Sequence, residues 1–95
     1  MAAFRLQIIS QTRLLFDGDV ISVIVPGLEG YFGVLAHHAP MLAALGKGTL
    51  TVRESPIIEH KYEISGGFFE VQNNTAVLLP DTISGFASSD ESPAQ

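Results

Sequence analysis

"IIEHKYEIS", residues 57–65, alternates apolar or aromatic side chains with charged ones, position by position. In an extended chain successive side chains point to opposite faces, so Ile58, His60, Tyr62 and Ile64 share one face and Glu59, Lys61 and Glu63 the other. A helix does not line up residues spaced by two, so the stretch is a strand with one wet face. "TLTVRE", residues 49–54, repeats the device, with Leu50 and Val52 inward and Thr49, Thr51 and Arg53 outward. Glu54-Ser55-Pro56 breaks the chain between the two, because proline fits a turn but cannot donate inside a ladder.

The same reading gives further strands at residues 4–10, 14–16, 20–25, 32–35, 68–72 and 75–79. Asp17-Gly18 and Asn73-Asn74 tolerate positive φ and are the expected hairpin turns. Gly46, Gly48, Gly66 and Gly67 mark further changes of direction. Only "APMLAAL", residues 39–45, has helical character, and its length predicts one turn or an irregular strand. Short strands at close spacing, six to ten of them, predict an all-β sandwich or barrel with no internal repeat. The end of the chain, "SSDESPAQ", is small, polar and acidic, with nothing to bury. The expected division is therefore a domain over residues 1–84 and a flexible, disordered tail over 85–95.

Residues 76–79 (AVLL) and 20–25 (VISVIV) break the one-sided rule, since both of their faces are apolar. Such strands are either central or docked against another polypeptide. Composition favours some docking: 46% of the 95 residues are hydrophobic and 16% charged.

Ten acids against five bases give a net charge of -5, and Arg5, Arg13, Lys47, Arg53 and Lys61 are scattered. No basic patch suited to nucleic acid or anionic lipid follows from that pattern. Without cysteine there is no disulfide framework and no thiolate site. "MAAFRLQIIS" has neither a signal-peptide core nor an Arg-rich presequence, and no run of ~18 apolar residues occurs. The expectation is a soluble chain, or one held at a membrane through other proteins.

Enzyme chemistry finds little to work with. His37 and His38 in "GVLAHHAPML", residues 33–42, are adjacent and in an extended segment diverge, leaving His60 as the third histidine; a zinc site needs three or four convergent ligands. His60, on an apolar strand face, reads as a packed or hydrogen-bonded side chain. Ser65-Gly66-Gly67 lacks a nucleophile elbow and reads as a bent connection at a strand end. "LGKGT" lacks the upstream glycine of a phosphate loop and precedes a strand. Asp17 and Asp19 are solvated turn residues in this reading. The chain is thus expected to be a small acidic β domain with interaction surfaces, no catalytic residues, no metal, no cofactor and no small-molecule substrate. A stand-alone β-sandwich module binding a small ligand or protein is the alternative.

Four stretches stand in a specific order and spacing: "RLLFDGDVISVIVPGLEGYFGVL" (13–35), "HAPMLAALGKGTLTVR" (38–53), "YEISGGFFEVQNN" (62–74) and "TAVLLPDT" (75–82). Together they resemble the epsilon-subunit family of F-type ATP synthases, in its N-terminal β-sandwich. The resemblance implies a ten-stranded sandwich of two antiparallel sheets. It implies a non-catalytic rotor subunit of the central stalk that links the gamma subunit to the membrane c-ring and couples proton flow to ATP synthesis. It further implies a peripheral place on the cytoplasmic face of a bacterial inner membrane. In the family the H-A-P loop and the E-G-x-F-G turn lie together at the ring-facing end, which makes Glu29, Gly30, Tyr31, His37, His38, Ala39 and Pro40 the ring-contact candidates. Tyr31 stands where many members have an acid, and Ala36-His37 replaces Pro-Gly. The candidates for docking gamma are Phe68, Phe69, Val71, Val77 and Leu79. After Thr82 only "ISGFASSDESPAQ" follows, too short for the two-helix domain that restrains ATP hydrolysis in many members, so that brake is expected to be missing.

Overall fold

The structure, a computed structural model, describes residues 2–11 and 13–85. Eight strands carry them: β1 Phe4–Ser10, β2 Arg13–Val20, β3 Ser22–Gly27, β4 Gly30–Leu35, β5 Met41–Ala44, β6 Lys47–Ser55, β7 Ile58–Gln72 and β8 Thr75–Gly85. No described residue is helical, and residues 41–44 resolve as the strand β5, the second of the two forms expected for them.

All eight strands belong to one hydrogen-bonded sheet, in the order β2-β1-β8-β7-β6-β3-β4 with β5 paired to β7. This corrects the expectation of ten strands in two antiparallel sheets. β7 has 15 residues and β8 has 11, and each runs through both layers of the fold. Read as halves, these two would count twice. β7 pairs with β6 up to Ser65 and with β5 from Phe68 onward. It changes partner at Gly66 and Gly67, whose φ angles of +71° and +109° only glycine adopts without strain. Ser65 therefore lies inside a strand and does not end one. The sheet is not wholly antiparallel either, since β1 lies parallel to β8 from Arg5 opposite Thr75 to Ile8 opposite Leu78. These strands sit at opposite ends of the chain, so no short turn constrains their sense.

The folded sheet encloses one core. In one layer the buried rows run across Ile8, Leu78 and Phe69 and across Leu6, Ala76 and Val71. The other layer supplies Val23, Val25, Val34, Leu50, Val52 and Ile64. Ring contacts cross between the layers: Phe32 meets Phe69 edge-on at 5.6 Å, and Phe16 meets His60 at 6.0 Å. Leu50 and Val52 are buried as their alternation requires.

Turn chemistry was half legible. Asn73 and Asn74, with φ of 53° and 59°, make the hairpin between β7 and β8. Asp17-Gly18 makes no turn: it lies within β2, opposite Gln7 and Leu6 of β1. The chain reverses instead between Ser10 and Arg13, where Gln11 takes φ 56°. Asp17 is held in the ladder by the guanidinium of Arg5, which donates from Nε to Oδ1 and from Nη2 to Oδ2 at 2.9 Å. Between β6 and β7 the turn falls at Pro56 and Ile57, with Ser55 Oγ accepting the amides of Ile57 and Ile58. Of the expected tail, Gly85 is the last residue of β8; the remainder of 85–95 lies outside the described residues.

Candidate functional site

The two layers present different outer faces. On the layer of β5, β7 and β8, Ala44 lies opposite Phe68 and Phe68 opposite Leu79; one row along, Leu42 lies opposite Glu70 and Glu70 opposite Val77. Leu42 is 71% exposed, Phe68 56% and Leu79 46%, with Val77 half-buried beside them. Direct cross-strand neighbours on one face touch, so these residues form a contiguous apolar patch around the single carboxylate of Glu70. On the other layer the outer face of the β6–β7 pair is charged and self-satisfied, and the exposed Ile24, Tyr31 and Leu35 lie beyond it on β3 and β4. Within the β6–β7 pair Arg53 bonds Glu59, Lys61 reaches Glu59 at 3.2 Å, and Thr49 Oγ1 donates to Glu63.

This sorts the docking candidates. Phe68, Val77 and Leu79 lie on the patch. Phe69 and Val71 do not, being 0% and 1% exposed and pointing into the core, because alternation along β7 sends neighbouring side chains to opposite faces. Leu42 joins the patch and was missed. Its helical-looking context concealed an alternation that only pairing with β7 reveals.

The ring-contact candidates divide between the two ends of β4. Glu29 and Gly30 form the β3–β4 hairpin with Tyr31 just inside the strand; residues 37–40 follow the strand's far end. At about 3.3 Å per residue, Gly30 and Leu35 are roughly 17 Å apart. The two sets therefore do not share one end of the sandwich, contrary to the expectation.

Each end has its own fixings. His37 has φ 65° and donates its backbone N–H to Asn74 Oδ1 at 2.7 Å, while Asn74 Nδ2 donates to Ala3 O at 3.0 Å. His38 Nδ1 lies 2.7 Å from Ala39 O, and Ala39 and Pro40 are exposed. At the other end Glu29 and Gly30 are exposed, and Tyr31 leans away over Pro26 and Gly48. The Tyr31 hydroxyl accepts the amide of Thr49 at 2.9 Å. Pro26 explains that bond. Continuing the β3–β6 register would set Thr49 opposite Pro26, but the Pro26 carbonyl is taken by the amide of Gly46 at 2.8 Å. Tyr31 thus satisfies a donor the ladder leaves open. Between hairpin and β5 lies a groove of about 400 Å³ lined by Leu28, Glu29, Tyr31, Phe32, Met41 and Ala44.

His60 Nε2 pairs with Glu54 Oε2, a hydrogen-bonded histidine as its strand position suggested. Among the described residues no group of three or more His, Cys, Asp or Glu is placed to hold a metal ion. Among the same residues no helix is long and apolar enough to cross a membrane.

Comparison with known proteins agrees with the fold. Residues 3–85 match the family described as ATP synthase, Delta/Epsilon chain, beta-sandwich domain. The ATP synthase epsilon chain of Chlorobium limicola is 46% identical over 86% of this chain and 93% of its own length; that of Chlorobaculum tepidum is 48% identical with the same coverage. The epsilon chain of Moorella thermoacetica is 39% identical over 86% of this chain but only 61% of its own, so some relatives continue well beyond the matched region. A chain in the cryo-EM structure of the Euglena gracilis mitochondrial ATP synthase (OSCP/F1/c-ring, rotational state 1) superposes with a TM-score of 0.83 at 25% identity, covering 90% of this chain and 54% of that one. A chain in the Tetrahymena thermophila central stalk/c-ring structure shares the fold, with a TM-score of 0.70 at 17% identity over 84% of this chain and 64% of that one. With its β-sandwich matched almost end to end, the chain belongs to the family of ATP synthase epsilon chains.

Proposed function

We propose that the chain works as a non-catalytic rotor part of the central stalk, seated between the gamma subunit and the c-ring of a bacterial ATP synthase, on the cytoplasmic side of the membrane. The observation that carries this is the contrast between its two sheet faces. Leu42, Phe68, Val77 and Leu79 form an apolar patch on one layer, whereas on the other ion pairs occupy the centre, across β6 and β7, and exposed apolar side chains keep to the β3–β4 edge. Burying the patch is favourable at about 25 cal/mol per Å² of apolar surface, whereas covering Arg53, Glu59 and Lys61 costs desolvation. The patch is therefore assigned to gamma. The exposed hairpin at Glu29 and the loop of residues 37–40 are assigned to the ring, as two contacts a strand's length apart along β4. No bond chemistry is required of the chain. A pleated body held at both places transmits torque because its core strands cross from layer to layer.

Co-purification with separately produced gamma tests the assignment. Leu42→Ser combined with Phe68→Ser is expected to abolish a one-to-one complex while leaving the fold intact, because both side chains are more than half exposed. Undiminished binding by that double variant, or loss of binding only on Arg53→Ser and Lys61→Ser, would overturn it.

A further inference from the structure

The two terminal strands of the sheet differ in how they meet solvent. β2 carries Arg13, Asp17 and Asp19, charges of the kind that discourage edge-to-edge pairing. β4, "GYFGVL", carries no charge and no proline. Its outer backbone is open. The Pro26 carbonyl points to Gly46, away from β4, so Pro26 and Tyr31 form a non-hydrogen-bonded pair. By alternation the same holds for Ile24 with Gly33 and Ser22 with Leu35. Tyr31, Gly33 and Leu35 therefore turn their N–H and C=O groups outward, and no bond from these groups to another described segment is present.

We propose that this free edge of β4 pairs antiparallel with the same edge of a second copy, about a two-fold axis at Gly33. The sequence of the edge is self-complementary in that register. Gly33 faces Gly33 of the second copy, and a Cβ placed there would make only an ordinary contact, with Val23 O at 3.8 Å, so nothing in the chain crowds the axis. Tyr31 comes opposite Leu35 of the second copy and Leu35 opposite its Tyr31; both are exposed, at 58% and 65%. Ile24, 46% exposed and beside Gly33, extends the apolar stripe on each side of the axis. Past the strand ends the same two-fold axis brings the hairpin of Glu29 toward the loop of His37 of the second copy, an acid near a hydrogen-bond donor. An isologous pairing of this kind makes every contact twice. The dimer covers the flank between the two proposed ring contacts, so self-association and ring attachment exclude one another; this consequence, unlike the dimer itself, rests on the function proposed above.

Sedimentation velocity of the full chain over micromolar to millimolar concentration provides the test. A concentration-dependent dimer is expected, weakened about tenfold or more, equivalent to about 1.4 kcal/mol, by Leu35→Lys and by Gly33→Pro. Leu35→Lys alters only an exposed side chain, so it remains informative if Gly33→Pro fails to fold. Glu29→Lys is expected to weaken the dimer, and adding His37→Glu in the same chain to restore it. A chain that stays monomeric throughout overturns the proposal. So does a dimer that ignores the β4 variants, or one lost on Phe68→Lys alone, which would place the contact on the sheet face.

Discussion

The backbone amide of His37 donates to the side-chain oxygen of Asn74 across 37 positions of sequence, at 2.7 Å. The same Asn74 donates to Ala3 O, and its own carbonyl accepts the amide of Arg5 at 3.2 Å. One turn residue thus ties the β4–β5 loop and the start of β1 to the β7–β8 hairpin. Asn74→Gly keeps the positive φ available and removes only the side-chain bonds. It is expected to cost about 1 kcal/mol and to speed hydrogen exchange at the His37 amide far more than at the core amide of Val52. Equal acceleration at both amides would mean global loosening and no local tether.

Tyr31 and Gly48 are predicted to be coupled. Tyr31→Phe leaves the Thr49 amide unpartnered in the protein and should cost about 1 kcal/mol in urea unfolding. Gly48→Ala places a methyl against the Tyr31 hydroxyl and the Pro26 ring, an overlap expected to cost about 1–3 kcal/mol. In the combined Tyr31→Ala and Gly48→Ala variant the second change should cost less than it does alone. Strict additivity would show that the tyrosine is not what crowds the glycine.

Phe68 and Phe69 are adjacent and predicted to behave oppositely. Phe69→Ala opens the core beneath Phe32 and should cost about 3–5 kcal/mol of stability. Phe68→Ala, on the exposed patch, should change thermal stability little and weaken gamma binding. A binding loss confined to Phe69→Ala would remove the patch from the account.

Hydrogen bonding from Arg5, aided by its charge, holds the Asp17 carboxyl below the usual carboxylate range, and Asp17 in turn raises Arg5. A carboxyl with a depressed folded pKa stabilises the fold above its unfolded value, about pH 4, and loses that contribution as pH falls through the folded pKa. Asp17→Asn should therefore flatten the acid limb of the stability–pH curve and leave its slope near neutrality unchanged. Both groups are on the surface, so the effect should shrink with added salt.

Much of the β architecture was legible because alternation survives burial: residues 57–65 and 49–54 show their inward and outward faces without any knowledge of partners. The hidden features depend on pairing. Asp-Gly has the chemistry of a hairpin turn, yet the cross-strand pull of Arg5 and the pairing with β1 keep Asp17-Gly18 inside β2. The glycine pair at 66 and 67 was readable as a change of direction but not as a point where one strand passes from β6 to β5, since an unbroken ladder leaves no mark of its own in the sequence. Likewise the motif residues around Glu29 and His38 sit close in sequence, but the intervening residues 30–35 form an extended strand that carries them apart.

In the proposed seating the apolar layer of β5, β7 and β8 is the face turned to gamma. Hydrogen exchange of the chain alone and in complex with gamma measures this directly. Protection is expected to rise at residues 41–44 and 68–79 and to stay unchanged at residues 59–63. Protection gained at residues 59–63, with none at residues 68–79, would contradict it.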